Sequence, residues 1–542
     1  MSLRSKSIRA RHDQISEEDN KKGKEKLKWT LRPLSGSIFF LLFLYRLFNS
    51  LTIKTFFQAD EYYQSLEPAH KNCYGYGYLT WEWREGLRSS IHPIIYSLGY
   101  HMLSSFSDNP EAVIIAPKVI GALQATIAEY YLYRFVQSVS KNECLSKLTL
   151  AFSLVSPFNW YFITRSFSNN LEMVFTVIGL TYWPWNFVVN KYLFLSCGFA
   201  FFSCIIRPTN GLIWIYLGSY LLWKNYLLYR NLSVIFMALT YLEIELLLVL
   251  LISGLLDRAF YNRWTFPLYN FLEFNIFRNL SIFYGTAPWH FYILQAFPLI
   301  LLTYLPFFIH SIIVLKCFKH VLGQMVAFVV LGFSLVGHKE IRFIYPLHPV
   351  LLYFSACSVN YLASRLNLHK LVLPVVFLNI AIAFFFTQVH ERGVIDVVHY
   401  LRLTPSVESF GLLTPCHSTP WQSHLHNITF SQNSWFITCE PPLHLQTSSA
   451  GAIKSYKDES DHFYDNPTKF LHENFPSFDD QDGNSKYQWP SHLVFFEPLE
   501  ETMSVFFKDS PYEECTRFFN SFFHWDDRRK GDVIVYCNTS FI

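Results

Sequence analysis

Two groups of charged residues lie far apart in this sequence, each between apolar segments. The first occupies residues 57–67, where Asp60, Gln64 and Glu67 recur at helical spacing and would share one face of a helix. A carboxylate that is oriented by an amide and a second acid suits a general base. The alternative is that Asp60 only caps the start of an interfacial helix.

The second group supplies positive charge. His338-Lys-Glu-Ile-Arg342 is its densest part, and further cations stand in other polar breaks, namely Arg165, Arg207, Arg258, Arg263 and Arg278. Cations near membrane depth are costly and usually have a partner there. The phosphate of a lipid would be such a partner, because an arginine fork binds two of its oxygens. The alternative is a salt bridge of Glu340 with Lys339 or Arg342 inside the cluster. A metal site at His338 and Glu340 is disfavoured, because no second histidine has ligand spacing.

An aromatic stretch follows the first group. Residues 74–84 alternate tyrosines with glycines and then contain Trp81 and Trp83. Flat aromatic faces suit sugar rings, but they equally suit the aromatic belt of a membrane interface. Taken alone, the stretch is better explained as part of that belt.

The composition indicates a membrane protein. Of the 542 residues, 19% are aromatic and only 16% are charged, whereas about a quarter of a soluble domain is charged. The net charge of +3 is too balanced for a protein that binds nucleic acid through its phosphates. We therefore expect an α-helical polytopic membrane protein that also carries a polar domain.

Long apolar runs alternate with short polar breaks over residues 36–389. Because a crossing needs about 17–25 apolar residues, these runs predict about eleven transmembrane helices. They lie near 36–53, 111–133, 147–165, 170–188, 191–206, 210–225, 232–254, 291–315, 321–337, 342–362 and 371–389. Residues 91–106 predict an amphipathic segment at the interface or in a loop. The expected domains are a disordered basic tail (1–33), a transmembrane domain (34–389) and a polar C-terminal domain (390–542).

Charge predicts the orientation of these helices. The basic N-terminal tail and the short connections on its side should face the cytosol. Their basic residues are Arg134, Lys141, Lys147, Lys191, Lys224, Arg230, Lys316, Lys319, Arg365 and Lys370. The breaks that contain Asp60, Arg165, Arg207 and His338 then all fall on the opposite side, together with the C-terminus.

The C-terminal segment has the features of an extracytoplasmic domain. Strand-like pieces near 491–498 and 532–537 predict a mixed α/β fold. Four cysteines there predict two disulfides in one of three pairings, namely Cys416, Cys439, Cys515 and Cys537. A zinc site is less favoured, because no Cys-x-x-Cys pair occurs. The sequons at Asn427 and Asn538 would allow glycosylation.

Several stretches resemble the membrane mannosyltransferases that use dolichyl-phosphate mannose and have the GT-C architecture. They are Gln58-Ala-Asp-Glu-Tyr-Tyr-Gln-Ser-Leu-Glu67, Gly75-Tyr-Gly-Tyr-Leu-Thr-Trp-Glu-Trp83, Arg165-Ser-Phe-Ser-Asn169, Arg207-Pro-Thr209, Pro288-Trp-His290, His338-Lys-Glu-Ile-Arg-Phe343 and Pro415-Cys-His-Ser-Thr-Pro420. The second and last are most similar to members that add the third mannose of the glycosylphosphatidylinositol (GPI) anchor. The resemblance covers nearly everything after residue 36.

The resemblance implies a specific reaction. Mannose would pass in α-1,2 linkage from dolichyl-phosphate mannose to the second mannose of a GPI precursor, by a single inverting displacement. The site would face the lumen of the endoplasmic reticulum, whose membrane lipids would surround the protein. Neither a metal nor another cofactor is expected, because fixed cations would neutralise the leaving phosphate.

The resemblance also implies roles for residues. Asp60 would be the base, with Glu61 in reserve because spacing does not separate the two. The donor phosphate would bind Arg207, Lys339 and Arg342. Orienting or substrate-binding roles would fall to Gln64, Glu67, Trp81, Trp83, Arg165, His338 and Glu340.

Two alternatives stay open. A related enzyme could act on the N-glycan precursor or add the fourth GPI mannose. A lipid or solute transporter would place its charges near the midplane, at broken helices of matching halves. Here the charges collect at one edge and no matching halves occur, which disfavours a transporter.

Overall fold

The structure is a computed structural model that describes residues 34–187, 191–229, 232–278, 280–367, 369–443, 450–478 and 485–541. The basic tail predicted over residues 1–33 and the basic residue Arg230 lie outside the described residues.

Helices occupy all the apolar runs that predict crossings. Their bounds are Gly36–Thr52, Pro110–Ser140, Glu143–Val155, Pro157–Phe162, Ser168–Tyr182, Lys191–Ile206, Gly211–Tyr229, Leu232–Tyr261, Phe297–Leu301, Leu305–Ile313, Val321–Leu335, His348–Ala363 and His369–Gln388. By length and composition, four described segments could each cross a membrane, namely Pro110–Ser140, Leu239–Tyr261, Tyr292–Ile313 and Lys370–Leu403. Gly36–Thr52, Lys191–Ile206 and Val321–Leu335 are shorter apolar helices.

Three of the predicted crossings are interrupted. The run 291–315 consists of a π-helical turn (Tyr292–Ala296), the helix Phe297–Leu301, a 3-10 turn (Leu302–Tyr304) and the helix Leu305–Ile313. The breaks in the other two runs lie beside proline. The run 147–165 is divided at Ser156, whose side chain caps the helix that Pro157 begins. The run 342–362 begins with a 3-10 segment, Ile341–Leu347, before the helix His348–Ala363. Proline explains both breaks, because it lacks the N–H that would continue a preceding helix.

The polar breaks on one side contain shorter helices. They are Glu67–Tyr74, Trp81–Arg84, Ile91–Ser104 and Pro267–Leu272, with π-helical turns at Tyr62–Leu66 and Glu273–Phe277. The predicted segment 91–106 contains the helix Ile91–Ser104, which buries Tyr96 and Tyr100 and exposes Leu98 and Met102. Its position at the membrane interface stays a prediction.

A buried ion pair fixes the first helix in the apolar core. The Nε of Arg46 donates to Oε2 of Glu129 at 3.0 Å, and Ser153 Oγ donates to the other carboxylate oxygen at 2.9 Å. Breaking such a buried pair costs about 3–5 kcal/mol. The pair therefore holds in place the helix Gly36–Thr52, from which the loop containing Asp60 emerges.

The C-terminal segment forms a five-stranded sheet. Its strands are β1 (Phe410–Leu412), β2 (Trp435–Phe436), β3 (His492–Phe496), β4 (Tyr512–Ser521) and β5 (Gly531–Asn538), in the order β2-β1-β3-β5-β4. β1 pairs parallel with β2 and β3, and β5 pairs antiparallel with β3 and β4. β3 and β5 confirm the two predicted strand regions.

Helices and two disulfides complete this segment. The helices are Gly393–Leu403, Gln422–Leu425, Ile428–Asn433, Ala450–Ser455, Glu459–Asp465, Pro467–Asn474 and Glu500–Phe506. Cys416 pairs with Cys439 at a Cα–Cα distance of 5.7 Å, and Cys515 pairs with Cys537 at 5.9 Å. The structure thus selects one of the three pairings that the sequence allowed.

Candidate active site

The two charged groups meet at one ion pair. Asp60 lies at the start of the helical turn that precedes the π-helical residues Tyr62–Leu66. Its Oδ2 accepts a hydrogen bond from Nη2 of Arg342, 282 residues away in the sequence. The side chain of Asp60 is 26% exposed, against 6% for Arg342. Asp60 can therefore be reached from outside while Arg342 holds it from within.

Arg342 also binds the acid of its own cluster. Its Nε lies 2.6 Å from Glu340 Oε2, and its Nη2 lies 2.8 Å from Oε1. The guanidinium stands over the ring of Phe167, 5.4 Å from its centroid. Nη1 is buried and has no hydrogen-bond partner among the described residues. One arginine thus bridges two carboxylates and keeps a free donor.

His338 completes this cluster. Its Nε2 lies 3.2 Å from Glu340 Oε1, and its Nδ1 lies 3.1 Å from the carbonyl oxygen of Gly285. Burial alone would lower the pKa of His338, but the hydrogen bond and charge of Glu340 raise it above the ordinary value. Burial alone would raise the pKa of Glu340, but Arg342 and His338 lower it well below its usual range. Glu340 is therefore ionised and suited to orienting the cations.

Glu61 has a different environment from its neighbour Asp60. Its Oε2 lies 2.8 Å from Nη1 of Arg165, and both side chains are buried. Arg165 further donates to the carbonyl oxygen and the hydroxyl of Thr55, at 2.8 and 2.9 Å. Burial raises the pKa of Glu61 despite that partner. These contacts indicate that Glu61 and Arg165 hold the loop together and that Asp60 faces the cation cluster.

Arg207 lies beside this cluster. Its guanidinium stands over the ring of Phe343, 5.0 Å from the centroid, and its Nε lies 3.5 Å from Oε2 of Glu172. Burial lowers the pKa of Arg207 to about 10, and the positive charges of Arg88 and Arg342 act in the same direction. The positive charges of Arg88, Arg207 and Arg342 are therefore close enough to repel one another. Such a concentration of positive charge suits the binding of an anion.

Lys339 has a contact that the sequence did not predict. Its Nζ donates to the carbonyl oxygens of Ala287 at 2.8 Å and Val336 at 2.5 Å. Because an ammonium group has three N–H donors, at most one is left for a phosphate. The contact with Ala287 holds the polar segment 285–290 against the cluster at residues 338–342.

Two further residues of the site were not assigned from the sequence. Nη2 of Arg88 lies 2.7 Å from Oε1 of Glu82, and its charge acts on both Asp60 and Arg342. His92 is buried near Arg88 and Arg207, and burial lowers its pKa to about 3. The sequence did contain a signal, because Arg88 is another cation in a break that the charge distribution predicts to be non-cytosolic, where the positive-inside rule disfavours one.

In the described part of the chain, the site contains buried polar atoms without a partner, and their chemistry suits one kind of ligand. Three buried arginine nitrogens there have no hydrogen-bond partner among the described residues, namely Arg88 Nε, Arg207 Nε (3.5 Å from Glu172 Oε2) and Arg342 Nη1. Neither ring nitrogen of His92 has a partner among them, and because His92 is neutral only one of the two is a donor. An unsatisfied buried polar group costs about 1–3 kcal/mol. Cationic groups that keep several such donors together are suited to bind an anion with more than one oxygen.

The two tryptophans are packed inside the protein. Trp83 is 2% exposed, and its Nε1 donates to the carbonyl oxygen of Tyr63 at 2.9 Å. Trp81 is buried against Phe274 and Leu280. Trp83 packs on the rings of Phe260 and Tyr261. Both tryptophans are thus covered by later segments of the chain, and their implied role in sugar or lipid contact stays a prediction. The hydrogen bond of Trp83 to Tyr63 supports the segment 57–67, which contains Asp60.

Gln64 and Glu67 are buried as well. Oε1 of Glu67 accepts hydrogen bonds from the backbone N–H groups of Trp421 at 3.0 Å and Ser423 at 3.1 Å. Burial raises the pKa of Glu67 to about 7 against the opposing effect of these bonds. The π-helical turn changes the spacing on which a shared face with Asp60 depended. The contacts of Glu67 therefore join the loop to the C-terminal segment, and its implied orienting or substrate-binding role stays a prediction.

The two sequon asparagines differ in accessibility. Asn427 is partly exposed, and its Oδ1 caps the helix Ile428–Asn433 by accepting from Thr429 N at 2.9 Å. Asn538 ends β5 and is 8% exposed. The structure therefore favours Asn427 as the acceptor of a glycan.

Metal-ligand residues come together at two places among the described residues. Each place includes a disulfide, so its thiolates are unavailable; the groups are Cys416, His417 and Cys439, and His492, Cys515 and Cys537. The zinc alternative for these cysteines is therefore disfavoured.

Comparison with known proteins identifies the family. Residues 37–426 match the model of the Alg9-like mannosyltransferase family. GPI mannosyltransferase 3 of Debaryomyces hansenii is 59% identical over 503 residues, covering 92% of each chain. The Candida albicans protein of that name is 54% identical over 93% of this chain and 98% of its own. The Saccharomyces cerevisiae protein of that name is 34% identical over 94% of this chain and 97% of its own.

A solved structure shows the same fold. The crystal structure of ArnT from Cupriavidus metallidurans bound to undecaprenyl phosphate covers 93% of this chain and 97% of its own, with a TM-score of 0.51 and 12% identity. This likeness confirms the predicted GT-C fold of a multi-pass membrane glycosyltransferase. The chain therefore belongs to the Alg9-like mannosyltransferase family, among its GPI mannosyltransferases.

Proposed function

We propose that this enzyme transfers the third mannose of the GPI anchor, in α-1,2 linkage, from dolichyl-phosphate mannose to the second mannose of the precursor. The reaction takes place on the luminal side of the endoplasmic reticulum membrane. The relatives named GPI mannosyltransferase 3 support the acceptor. The undecaprenyl phosphate bound to ArnT supports a lipid-phosphate donor, and the bias of basic residues supports the orientation.

The observation that carries the proposal is the Asp60–Arg342 pair, in which an accessible carboxylate meets a cation that keeps a free donor. Asp60 takes the proton of the acceptor 2-hydroxyl as its oxygen attacks the anomeric carbon. The bond from that carbon to the phosphate oxygen breaks, and its electron pair stays on the lipid phosphate. Attack from the opposite face inverts the anomeric configuration.

The cations stabilise the charge that develops on the leaving phosphate. Arg342 offers Nη1 while its other nitrogens keep Asp60 and Glu340 in place. Arg207 and Arg88 approach from the neighbouring elements. Removal of one such donor typically costs about 10²–10³ in kcat. Because these charges are fixed in the protein, the proposal includes no metal or other cofactor.

The experiment uses the purified enzyme in liposomes with dolichyl-phosphate mannose. A two-mannose GPI acceptor should be extended by one mannose that an α-1,2-specific mannosidase removes, whereas an N-glycan precursor or a three-mannose GPI acceptor should not be extended. Extension of either of the latter in place of the two-mannose acceptor would refute the acceptor assignment. Unchanged turnover with a metal chelator is expected, and loss of turnover would contradict catalysis by fixed cations.

Asp60→Asn tests the base. It should lower kcat by about 10²–10⁴ without changing the shape of the side chain. Asp108→Asn is a matched control, because its carboxylate is 76% exposed and pairs with His426 away from the cluster. Near-normal turnover of Asp60→Asn would remove Asp60 from this role.

A further inference from the structure

The turn between β4 and β5 exposes an unusual number of aromatic side chains. Phe522 is 64% exposed and Trp525 is 84% exposed, and Phe519 and Phe523 are exposed beside them. Soluble proteins rarely expose several large apolar groups in one patch unless something covers them. We call residues 519–525 the hairpin tip.

The hairpin tip lies against the end of the last apolar helix, His369–Gln388. The ring of Phe385 in that helix stands 6.4 Å from the ring of Phe522 and 6.3 Å from that of Phe523. Just beyond the helix, His390 stacks on Phe523 with the ring centroids 4.7 Å apart. The backbone joins them too, because Glu391 N donates to the carbonyl oxygen of Asn520 at 2.9 Å.

This helix has the surface of a lipid-facing segment. It is part of a candidate membrane span, and its apolar side chains Leu373, Phe377 and Phe384 are largely exposed. The aromatic rings of the hairpin tip therefore continue an apolar surface that ends at Gln388. If the helix His369–Gln388 crosses the membrane, its end and the tip beside it lie at the level where hydrocarbon gives way to headgroups.

The same end of the helix is also the side that contains Asp60. Lys54 N donates to the carbonyl oxygen of Thr387 at 3.0 Å, and Phe56 N donates to that of Glu391 at 2.8 Å. The first and last apolar helices thus end together, a few residues before the acid.

We propose that the hairpin tip is an interfacial anchor, which inserts its aromatic side chains into the boundary between headgroups and acyl chains on the side of the membrane that holds Asp60. Trp525 is of a type that prefers this layer, and phenylalanines are typical of the apolar face that interfacial segments bury there. The anchor fixes the depth of the C-terminal sheet, and through Trp421 and Ser423 the sheet holds Glu67 in the catalytic loop. The proposal depends on the membrane fold and not on the acceptor or donor.

The test is photo-crosslinking of the full-length protein to lipid. Phe522→benzoylphenylalanine and Trp525→benzoylphenylalanine are reconstituted in phosphatidylcholine liposomes that contain an alkyne-bearing phosphatidylcholine. After irradiation, an azide dye reports lipid bound covalently to the protein. A variant at Phe523 serves as a third position if either of the first two does not fold, and mannosyl transfer reports folding in each case.

Val505→benzoylphenylalanine is the matched control. Val505 is also apolar and is 72% exposed. It belongs to the same segment but precedes β4, whose first residue Tyr512 lies at the opposite end of the hairpin from the tip. The variants at 522 and 525 should incorporate about fivefold more dye than the control, as expected for rings buried in the interface. Equal labelling at 505, 522 and 525 would overturn the proposal. So would irradiation in microsomes that links residue 525 to a second protein in place of lipid.

Discussion

The coupling between Asp60 and Arg342 gives the sharpest test of the site. Arg342→Gln removes the cation that bridges Asp60 and Glu340 and that carries the free donor Nη1. If Arg342 stabilises charge on the leaving phosphate, kcat should fall about 10²–10³-fold, which corresponds to about 2.7–4 kcal/mol of transition-state stabilisation. If it only bound the donor equally in ground and transition states, KM would rise and kcat would be unchanged.

A double-mutant cycle separates a joint role from independent ones. Asp60→Asn, Arg342→Gln and the double variant are compared in initial-rate assays with saturating acceptor and varied donor. Because the two side chains share one ion pair, the double variant should lose less than the product of the single losses, with a coupling energy of about 0.5–3 kcal/mol.

A surface arginine provides the control for this cycle. Arg392 pairs with Asp396 one helical turn away, and its side chain is 42% exposed. Arg392→Gln should change the free energy of unfolding by no more than about 1 kcal/mol and leave kcat unchanged. Strict additivity of the Asp60 and Arg342 losses, or a kcat for Arg342→Gln close to that of the unmodified enzyme, would refute the reasoning.

Three further predictions concern the surroundings of this pair. Glu61→Gln should destabilise the protein by up to about 3–5 kcal/mol, because it leaves Arg165 buried without its charge partner; thermal unfolding in detergent measures this, and the folded fraction should keep its kcat. The raised pKa of His338 means that the ring keeps its positive charge to a higher pH than an ordinary histidine and loses it as the pH rises through that higher pKa. The KM for the donor should therefore rise with pH above 6.5, and a His338→Gln variant with the same rise would contradict this. Asn427→Gln should abolish the mobility shift caused by endoglycosidase, whereas Asn538→Gln should not, and the reverse result would contradict the accessibility seen here.

Much of the fold follows from local patterns in the sequence. The apolar runs predict the helices, because a chain in hydrocarbon must satisfy its backbone hydrogen bonds within one segment. Strands β3 and β5 also follow from local composition. Interruptions such as the one at Ser156 and Pro157 are likewise local, since proline acts through its own ring.

The residues of the candidate site required more than local information. The sequence established which groups could carry the chemistry, and charge asymmetry placed residue 60 and residue 342 on the same side. It did not separate Asp60 from Glu61, because a shift of one position in a short loop does not show which of two adjacent carboxylates meets the distant cations. The difference comes from Arg165 and Arg342, which reach the two carboxylates from distant segments.

Tertiary packing also decided the contacts of residues with a predicted role in the site, and it brought into the site a residue that had no role predicted from the sequence. Trp81 and Trp83 are buried, because later segments of the chain fold over them. Lys339 is occupied by two carbonyl groups, and Arg88 joins Arg207 near the acid. Residue types and their periodicity determine helices and available charges, since these depend on a few neighbours. Which charge meets which depends on contacts across hundreds of residues, and only the folded chain makes those contacts.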